Sequence, residues 1–136
     1  MATVELTFTP LPAHVRTARL VATAVARRSG VDESLLDVVR LAVGEACSRA
    51  VEAHQRYCPT EPVRLALTDA ADRFEVEVTD TCVRTTGNRA AGADGAGFPA
   101  GFGIAVITGL ADDVEISETA AGTSIRMSWP SARATQ

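Results

Sequence analysis

The sequence predicts a two-layer α+β sandwich, in which a mixed β-sheet carries helices on one face. Apolar residues recur at helical spacing in two long segments, and they alternate with polar residues in short segments on either side. The later alternating segments come in pairs with short polar connections, which is typical of hairpins and not of a doubly wound parallel sheet. From the length of 136 residues we expect one domain over residues 1–130 and a flexible tail over 131–136.

The chain opens with a predicted strand in which Val4, Leu6 and Phe8 alternate with polar residues and point inward. A first helix begins at Pro12, because proline is well suited to a first helical turn. Gly30 ends that helix, since glycine readily adopts the left-handed conformation of a helix C-terminus.

Asp32 is the predicted N-cap of a second helix, which extends to about residues 52–54. The second half of its apolar stripe is rich in alanine, which indicates close packing against a neighbour. Two pairs of alternating segments then predict hairpins, 63–67 with 74–78 and 114–116 with 125–129. We expect four residues of these elements to be buried: Val39, Ala46, Val76 and Ile125.

The segment between the two hairpins has a different composition. Residues 85–101 contain five glycines and five alanines, and they offer few large apolar side chains to bury. We predict that 84–100 is poorly ordered without ligand, because fixing its backbone costs entropy with little return. A short helix is expected over 102–111.

Composition excludes several classes of protein. All 13 basic residues are arginine, so a P-loop lysine and a Schiff-base lysine are both excluded. The net charge of −4 argues against nucleic-acid binding. No apolar segment is long enough to span a membrane and no signal peptide opens the chain, so we expect a cytoplasmic protein.

The cysteines and histidines form no recognisable metal pattern. Cys47, Cys58 and Cys82 lie at long spacings, and their odd number is typical of a reducing compartment. His14 and His54 are too few and too scattered for most metal sites.

Two positions carry candidate acidic side chains. Glu45 and Arg49 are four residues apart and share a helix face, either as an exposed ion pair or as part of a functional site. Asp80 follows a predicted strand, where it either starts a turn or points a carboxylate into a pocket.

Glycines mark two further candidate positions. Gly101 and Gly103 lie at the start of a predicted helix, where the backbone can approach an anion such as phosphate, although such pairs are also common in plain turns. Gly122 and Thr123 begin the last strand and, on their own, indicate a hairpin turn.

Taken in order, these residues resemble the histidine-kinase-like ATPase (GHKL) superfamily. The similarity is greatest to the small anti-sigma factors of the serine-kinase type that act in bacterial partner switching. It covers about residues 3–129, and LAVGEACSRA at 41–50 is similar to the family pattern LAVxEAxxNA. The resemblance implies that 83–100 is a nucleotide lid.

The resemblance also implies roles for single residues. Asp80 would accept the exocyclic amine of adenine, and Thr123 would lie near the same base. Gly101 and Gly103 would close over the phosphates of ATP or ADP. Glu45 would polarise the hydroxyl that attacks the phosphate.

Three departures from the family pattern bear on catalysis. The histidine that usually ends the family helix is displaced by one residue and falls on His54. The metal-binding asparagine of the family falls on Arg49, and a guanidinium offers magnesium no oxygen ligand. The family glycine two residues after the adenine-binding aspartate falls on Cys82. We therefore expect no magnesium site. Arg49 is itself a candidate to face a phosphate of a bound nucleotide, and we predict that it projects into the metal position and pairs with Glu45.

The leading interpretation is an anti-sigma-like regulator that sequesters a sigma factor or a STAS-type anti-anti-sigma protein, with ATP use weakened or lost. The alternative is an active protein-serine kinase that phosphorylates an anti-sigma antagonist. A small-molecule sensor is a third interpretation without positive support. The resemblance also implies a homodimer.

Overall fold

The computed structural model describes residues 2–82, 102–119 and 122–131. Its elements in chain order are β1 (Ala2–Phe8), α1 (Pro12–Ser29), α2 (Glu33–Tyr57), β2 (Val63–Asp69), β3 (Arg73–Asp80), α3 (Phe102–Leu110), β4 (Asp113–Thr119) and β5 (Gly122–Pro130). They form one five-stranded sheet with helices packed against it, so the predicted α+β class is confirmed. The segment 84–100, predicted to be poorly ordered, and the tail over 132–136 lie outside the described residues.

The sheet has the order β1-β2-β3-β5-β4, and each neighbouring pair in it is antiparallel. The prediction of a mixed sheet was therefore wrong. Two helices connect β1 to β2. Helix α1 carries the chain away from the C-terminal end of β1 and helix α2 carries it back to that end, so β2 starts there and runs antiparallel to β1. Strands β3 and β4 run in the same direction, because each is antiparallel to β5, which lies between them.

Both long helices begin and end at the predicted signals, except at the C-terminus of α2. Gly30 caps α1 in the left-handed conformation with φ 95°, and the Asp32 side chain accepts a hydrogen bond from the Ser34 backbone N–H at the start of α2. Helix α2 continues to Tyr57 because no glycine or proline follows Gly44 until Pro59. Its last turn is closed by the Cys58 N–H, which donates to the His54 carbonyl at 2.8 Å.

The core lies between the helices and one face of the sheet. The four residues predicted to be buried are at most 1% exposed, which confirms this part of the prediction. The alanine-rich stripe allows α1 to approach α2 closely. A Cβ atom added at Gly44 would lie 2.6 Å from Arg19 Cδ, so the aliphatic part of that arginine occupies the space over the glycine.

Strand β1 is less buried than its alternation predicts. Leu6 and Phe8 are half-buried against the core, but Val4 is 42% exposed. Val4 was predicted to point inward, but its side chain is not buried. As an edge strand, β1 has a neighbour on one side only, which leaves more of its surface to solvent.

Candidate functional site

The candidate site is built around the last residue of β3. Along this strand Phe74, Val76, Val78 and Asp80 are all buried, because alternate residues of a strand face the same side. The pattern that buries the three apolar residues also carries the Asp80 carboxylate to the core face, where it is 1% exposed. A buried carboxylate requires hydrogen bonds or a counter-charge.

The neighbouring strand β5 supplies a hydrogen bond. Asp80 is paired with Thr123 in the β3–β5 register, and the Thr123 backbone N–H donates to Asp80 Oδ1 at 3.3 Å. This approach depends on Gly122, whose φ is +145° and at which an added Cβ would lie 2.0 Å from the Asp80 carbonyl oxygen. The two residues assigned to the adenine side of the site are therefore adjacent.

Helix α2 supplies the counter-charge. Arg49 Nη1 lies 3.9 Å from Asp80 Oδ2, and the arginine side chain is 20% exposed. The predicted partner of Arg49 was Glu45, and that prediction was wrong. Glu45 is half-buried, and it is absent from the ion pairs formed within the described ranges 2–82, 102–119 and 122–131. Arg49 contacts the carboxylate of Asp80, which is more deeply buried than that of Glu45 and is therefore stabilised more by a nearby positive charge.

These contacts bear on the metal and the nucleotide that the fold family implies. Magnesium requires oxygen ligands in a tight octahedron, and Arg49 brings a positive guanidinium to the α2 position where the family has an asparagine. One oxygen of the Asp80 carboxylate accepts the Thr123 N–H and the other faces Arg49. These residues do not fit magnesium, and they leave Asp80 engaged within the protein.

The glycine positions add little to the geometry. Gly103 lies in the first turn of α3, which begins at Phe102. Gly101 and the proposed lid, residues 83–100, lie outside the described residues.

A second cluster, at the C-terminal end of α2, was missed by the sequence analysis. Cys58 and Cys82 form a disulfide, with their Cα atoms 5.6 Å apart. An odd number of cysteines is typical of a reducing compartment, but two of the three are paired in the structure and Cys47 is a free thiol. The spacing of 24 residues carries no recognisable motif, and only the fold brings the end of α2 to the end of β3.

His54 belongs to the same cluster and is fully buried. Its Nδ1 lies 2.7 Å from the Glu61 carbonyl oxygen, so Nδ1 carries the proton and donates it. Its Nε2 accepts the Thr81 backbone N–H at 3.1 Å. The imidazole therefore bridges the connection after α2 and the turn after β3.

Cys47 lies on the buried face of α2. Desolvation by burial raises the pKa of its thiol to about 12, although the positive charge of Arg19 acts in the opposite direction. A thiol with this pKa is protonated and unreactive at neutral pH.

Among the described helices, none is both long enough and apolar enough to cross a membrane.

Comparisons with known proteins agree with this fold. The structure is similar to the crystal structure of the RsbU and RsbW domains of Rv1364c from Mycobacterium tuberculosis, with a TM-score of 0.67 and 19% sequence identity. That alignment covers 99% of this chain and 35% of the other, so the chain spans about a third of its neighbour. A search of curated proteins found no match. The family model of the histidine kinase-like ATPase domain matches residues 8–129, and the chain therefore belongs to that family.

Proposed function

We propose that this protein is an anti-sigma-like regulator that binds a sigma factor or a STAS-type anti-anti-sigma protein, with nucleotide use weakened or lost. The observation that carries the proposal is the contact between Arg49 and the buried Asp80. In this fold family the carboxylate at that position would accept the amine of adenine. Here it already faces a cation supplied by the protein.

A nucleotide would have to displace that cation. An adenine amine is neutral, whereas the guanidinium is charged, and at 3.9 Å it attracts the Asp80 carboxylate as an ion pair. Arg49 is also tethered to α2, so it meets Asp80 without the entropy cost that a free ligand pays. Both effects favour the protein's own contact over adenine.

The loss of the metal would remove the main charge neutraliser of phosphoryl transfer. The acid assigned to polarising the hydroxyl, Glu45, is present, but phosphate charge would remain uncompensated near it. We therefore propose that any phosphorylation by this protein is negligible and that magnesium is not a cofactor.

Partner binding does not require these groups. The resemblance to anti-sigma factors and the likeness to a structure that contains an RsbW domain support a partner-switching role. The net charge of −4 is complementary to basic partner surfaces and would raise the association rate. We propose a single domain over residues 1–130, a cytoplasmic location and a homodimer.

Calorimetry tests the nucleotide part of this proposal. Titration of ATP or ADP, with and without magnesium, is expected to show weak or absent binding and no gain from the metal. Purified sigma factors and STAS-type proteins from the same genome should then be titrated without nucleotide, and at least one is expected to bind. Tight magnesium-dependent ATP binding would overturn the first half, and failure of every such partner to bind would overturn the second.

The alternative is an active protein-serine kinase. It is favoured by Glu45, which is half-buried and outside the described ion pairs, and so remains available as a base. A radiolabelled phosphate-transfer assay on a bound STAS-type partner decides between the two. Transfer that disappears in Glu45→Ala, but persists in Glu52→Ala at an exposed position of the same helix, would establish the kinase.

A further inference from the structure

The disulfide fastens the turn after β3 to the end of α2. Cys58 is the C-cap of α2, and Cys82 lies two residues beyond the last residue of β3. The Cα separation of 5.6 Å falls within the usual range for disulfides. A side chain two residues from Asp80 is thereby bonded to the helix that also carries Arg49.

Besides the ion pair between Asp80 and Arg49, three ties within the described part of the chain bear on this short turn. Asp80 is tied to β5 through the Thr123 N–H, and Thr81 is tied to α2 through His54 Nε2. Cys82 is tied to α2 by the disulfide. Of the three, the disulfide is the only one that thiol chemistry can open and close.

We propose that Cys58–Cys82 is a reversible thiol–disulfide exchange site, whose reduction removes the covalent tie between the turn of residues 80–82 and α2 and leaves that turn held by non-covalent contacts alone. The substrate class is a low-molecular-weight thiol. This inference concerns the protein's own redox chemistry and does not depend on the identity of any regulatory partner.

The exposure of the two cysteines sets the order of the exchange. Cys58 is half-buried, whereas Cys82 is 1% exposed, so an external thiolate reaches the Cys58 sulfur. Its attack forms a mixed disulfide on Cys58 and breaks the bond to Cys82, which leaves as a thiolate and takes up a proton. A second thiol attacks the sulfur of the small molecule in that mixed disulfide. Cys58 is released as a thiol, two electrons have passed to the protein, and the two small thiols leave as their disulfide.

The surroundings also accommodate the reduced form. The Cys82 sulfur lies 3.8 Å from the Ala53 carbonyl oxygen, which is an acceptor for the S–H group that reduction creates. The buried thiol would therefore not be left without a partner. A site that satisfies both states is suited to repeated opening and closing.

A metal centre is the competing interpretation of the same cluster. Ligand atoms of His54, Cys58 and Cys82 all lie within 4.8 Å of one another. However, both ring nitrogens of His54 are engaged, Nδ1 with Glu61 and Nε2 with Thr81, and the two sulfurs are bonded to each other. A cation would have to displace the Thr81 N–H, so the disulfide is favoured.

The test compares the full chain before and after reduction. Under denaturing conditions, protein purified without reductant is expected to give one reactive thiol, Cys47, and protein treated with glutathione in its folded state is expected to give three. Mass spectrometry after a limiting glutathione pulse should place the mixed disulfide on Cys58. Amide exchange at Thr81 should accelerate about tenfold or more on reduction, because a local opening loses its covalent restraint. Removal of glutathione in the presence of its disulfide should restore slow exchange.

Variants separate this site from general thiol effects. Cys82→Ser should exchange rapidly at Thr81 with or without glutathione, and Cys47→Ser should behave like the parent protein. Should Cys82→Ser fail to fold, the comparison of the two redox states of the parent protein still decides the question. Thr81 exchange that is unchanged by reduction, or a disulfide that opens only after unfolding, would overturn the proposal. Stoichiometric zinc in the purified protein, with both cysteines unreactive until a chelator is added, would also overturn it.

Discussion

Replacing Arg49 by asparagine tests the contact on which the proposed function depends. Two unit charges about 4 Å apart attract by about 4 kcal/mol at an effective dielectric constant of 20. Desolvation offsets much of that attraction, and removing one member of a tight buried pair costs about 3–5 kcal/mol. Here the Nη1–Oδ2 distance is 3.9 Å, the arginine is 20% exposed and Asp80 keeps the Thr123 N–H. We therefore expect Arg49→Asn to lower the free energy of unfolding by about 1–2 kcal/mol.

The same change should improve nucleotide binding. It removes the cation that faces Asp80 and offers an amide oxygen at the position where the family binds metal. A hydrogen bond to a charged group is worth about 1.5–3 kcal/mol, so the Kd for ATP with magnesium should fall about tenfold or more. The variant would thus be less stable than the parent protein and a better nucleotide binder.

Urea unfolding and calorimetry measure the two effects on the same samples. Arg40→Asn is the matched control, because Arg40 lies on the same helix in an exposed i,i+3 pair with Asp37. That control should change stability by less than about 0.5 kcal/mol and leave nucleotide binding unaltered. Equal stability of Arg49→Asn and the parent protein, or equal affinity for ATP, would refute the reasoning.

Further predictions concern the packing and burial of single residues in the fold. Gly122→Ala should destabilise the protein by about 2 kcal/mol or more in urea unfolding, since its Cβ would lie 2.0 Å from the Asp80 carbonyl oxygen at a φ of +145°. At Gly109, by contrast, an added Cβ would meet no described residue outside its own helical turn within 4 Å, so Gly109→Ala should be neutral or stabilising by up to about 1 kcal/mol. Because burial raises the pKa of Cys47 from 9.0 to about 12, the folded state retains that proton longer than the unfolded state. The free energy of unfolding should therefore fall as the pH rises from about 9 to about 12, and Cys47→Ala should lose that component of the pH dependence. Trp129→Phe should lower the free energy of unfolding by about 1–2 kcal/mol, because the Nε1–H of Trp129 donates a hydrogen bond to a backbone carbonyl at 3.2 Å; thermal unfolding that matches the parent protein would contradict this.

Local patterns in the sequence predicted most of the fold. Helix ends were predictable because the capping residues Pro12, Gly30 and Asp32 affect only the backbone within one turn of their own position, and sequence shows that neighbourhood directly. The antiparallel character of the whole sheet was not predicted, because it depends on how many helices separate two strands and on which strands become neighbours. Alternation likewise gave the inward side of β1, but the exposure of Val4 depends on the edge position of that strand.

The sequence identified several residues of the candidate site but did not predict which of them contact one another. Asp80 and Thr123 were both singled out, and the β3–β5 register makes them neighbours. Helical spacing suggested that Arg49 pairs with Glu45, which lies on its own helix, because sequence spacing says nothing of a carboxylate brought in from a strand. The disulfide was missed for the same reason, since Cys58 and Cys82 meet only through the fold.

The order of the strands also has a consequence for folding kinetics. The β2–β3 and β4–β5 pairs are local hairpins, but β5 joins β3 across 43 residues at the Thr123–Asp80 contact, and β1 joins β2 only after both long helices. Two of the four strand pairings therefore close long loops. The chain loses loop-closure entropy before most of the stabilising contacts between these strands have formed. We expect this domain to refold on the order of milliseconds to seconds, more slowly than a helical bundle of its size.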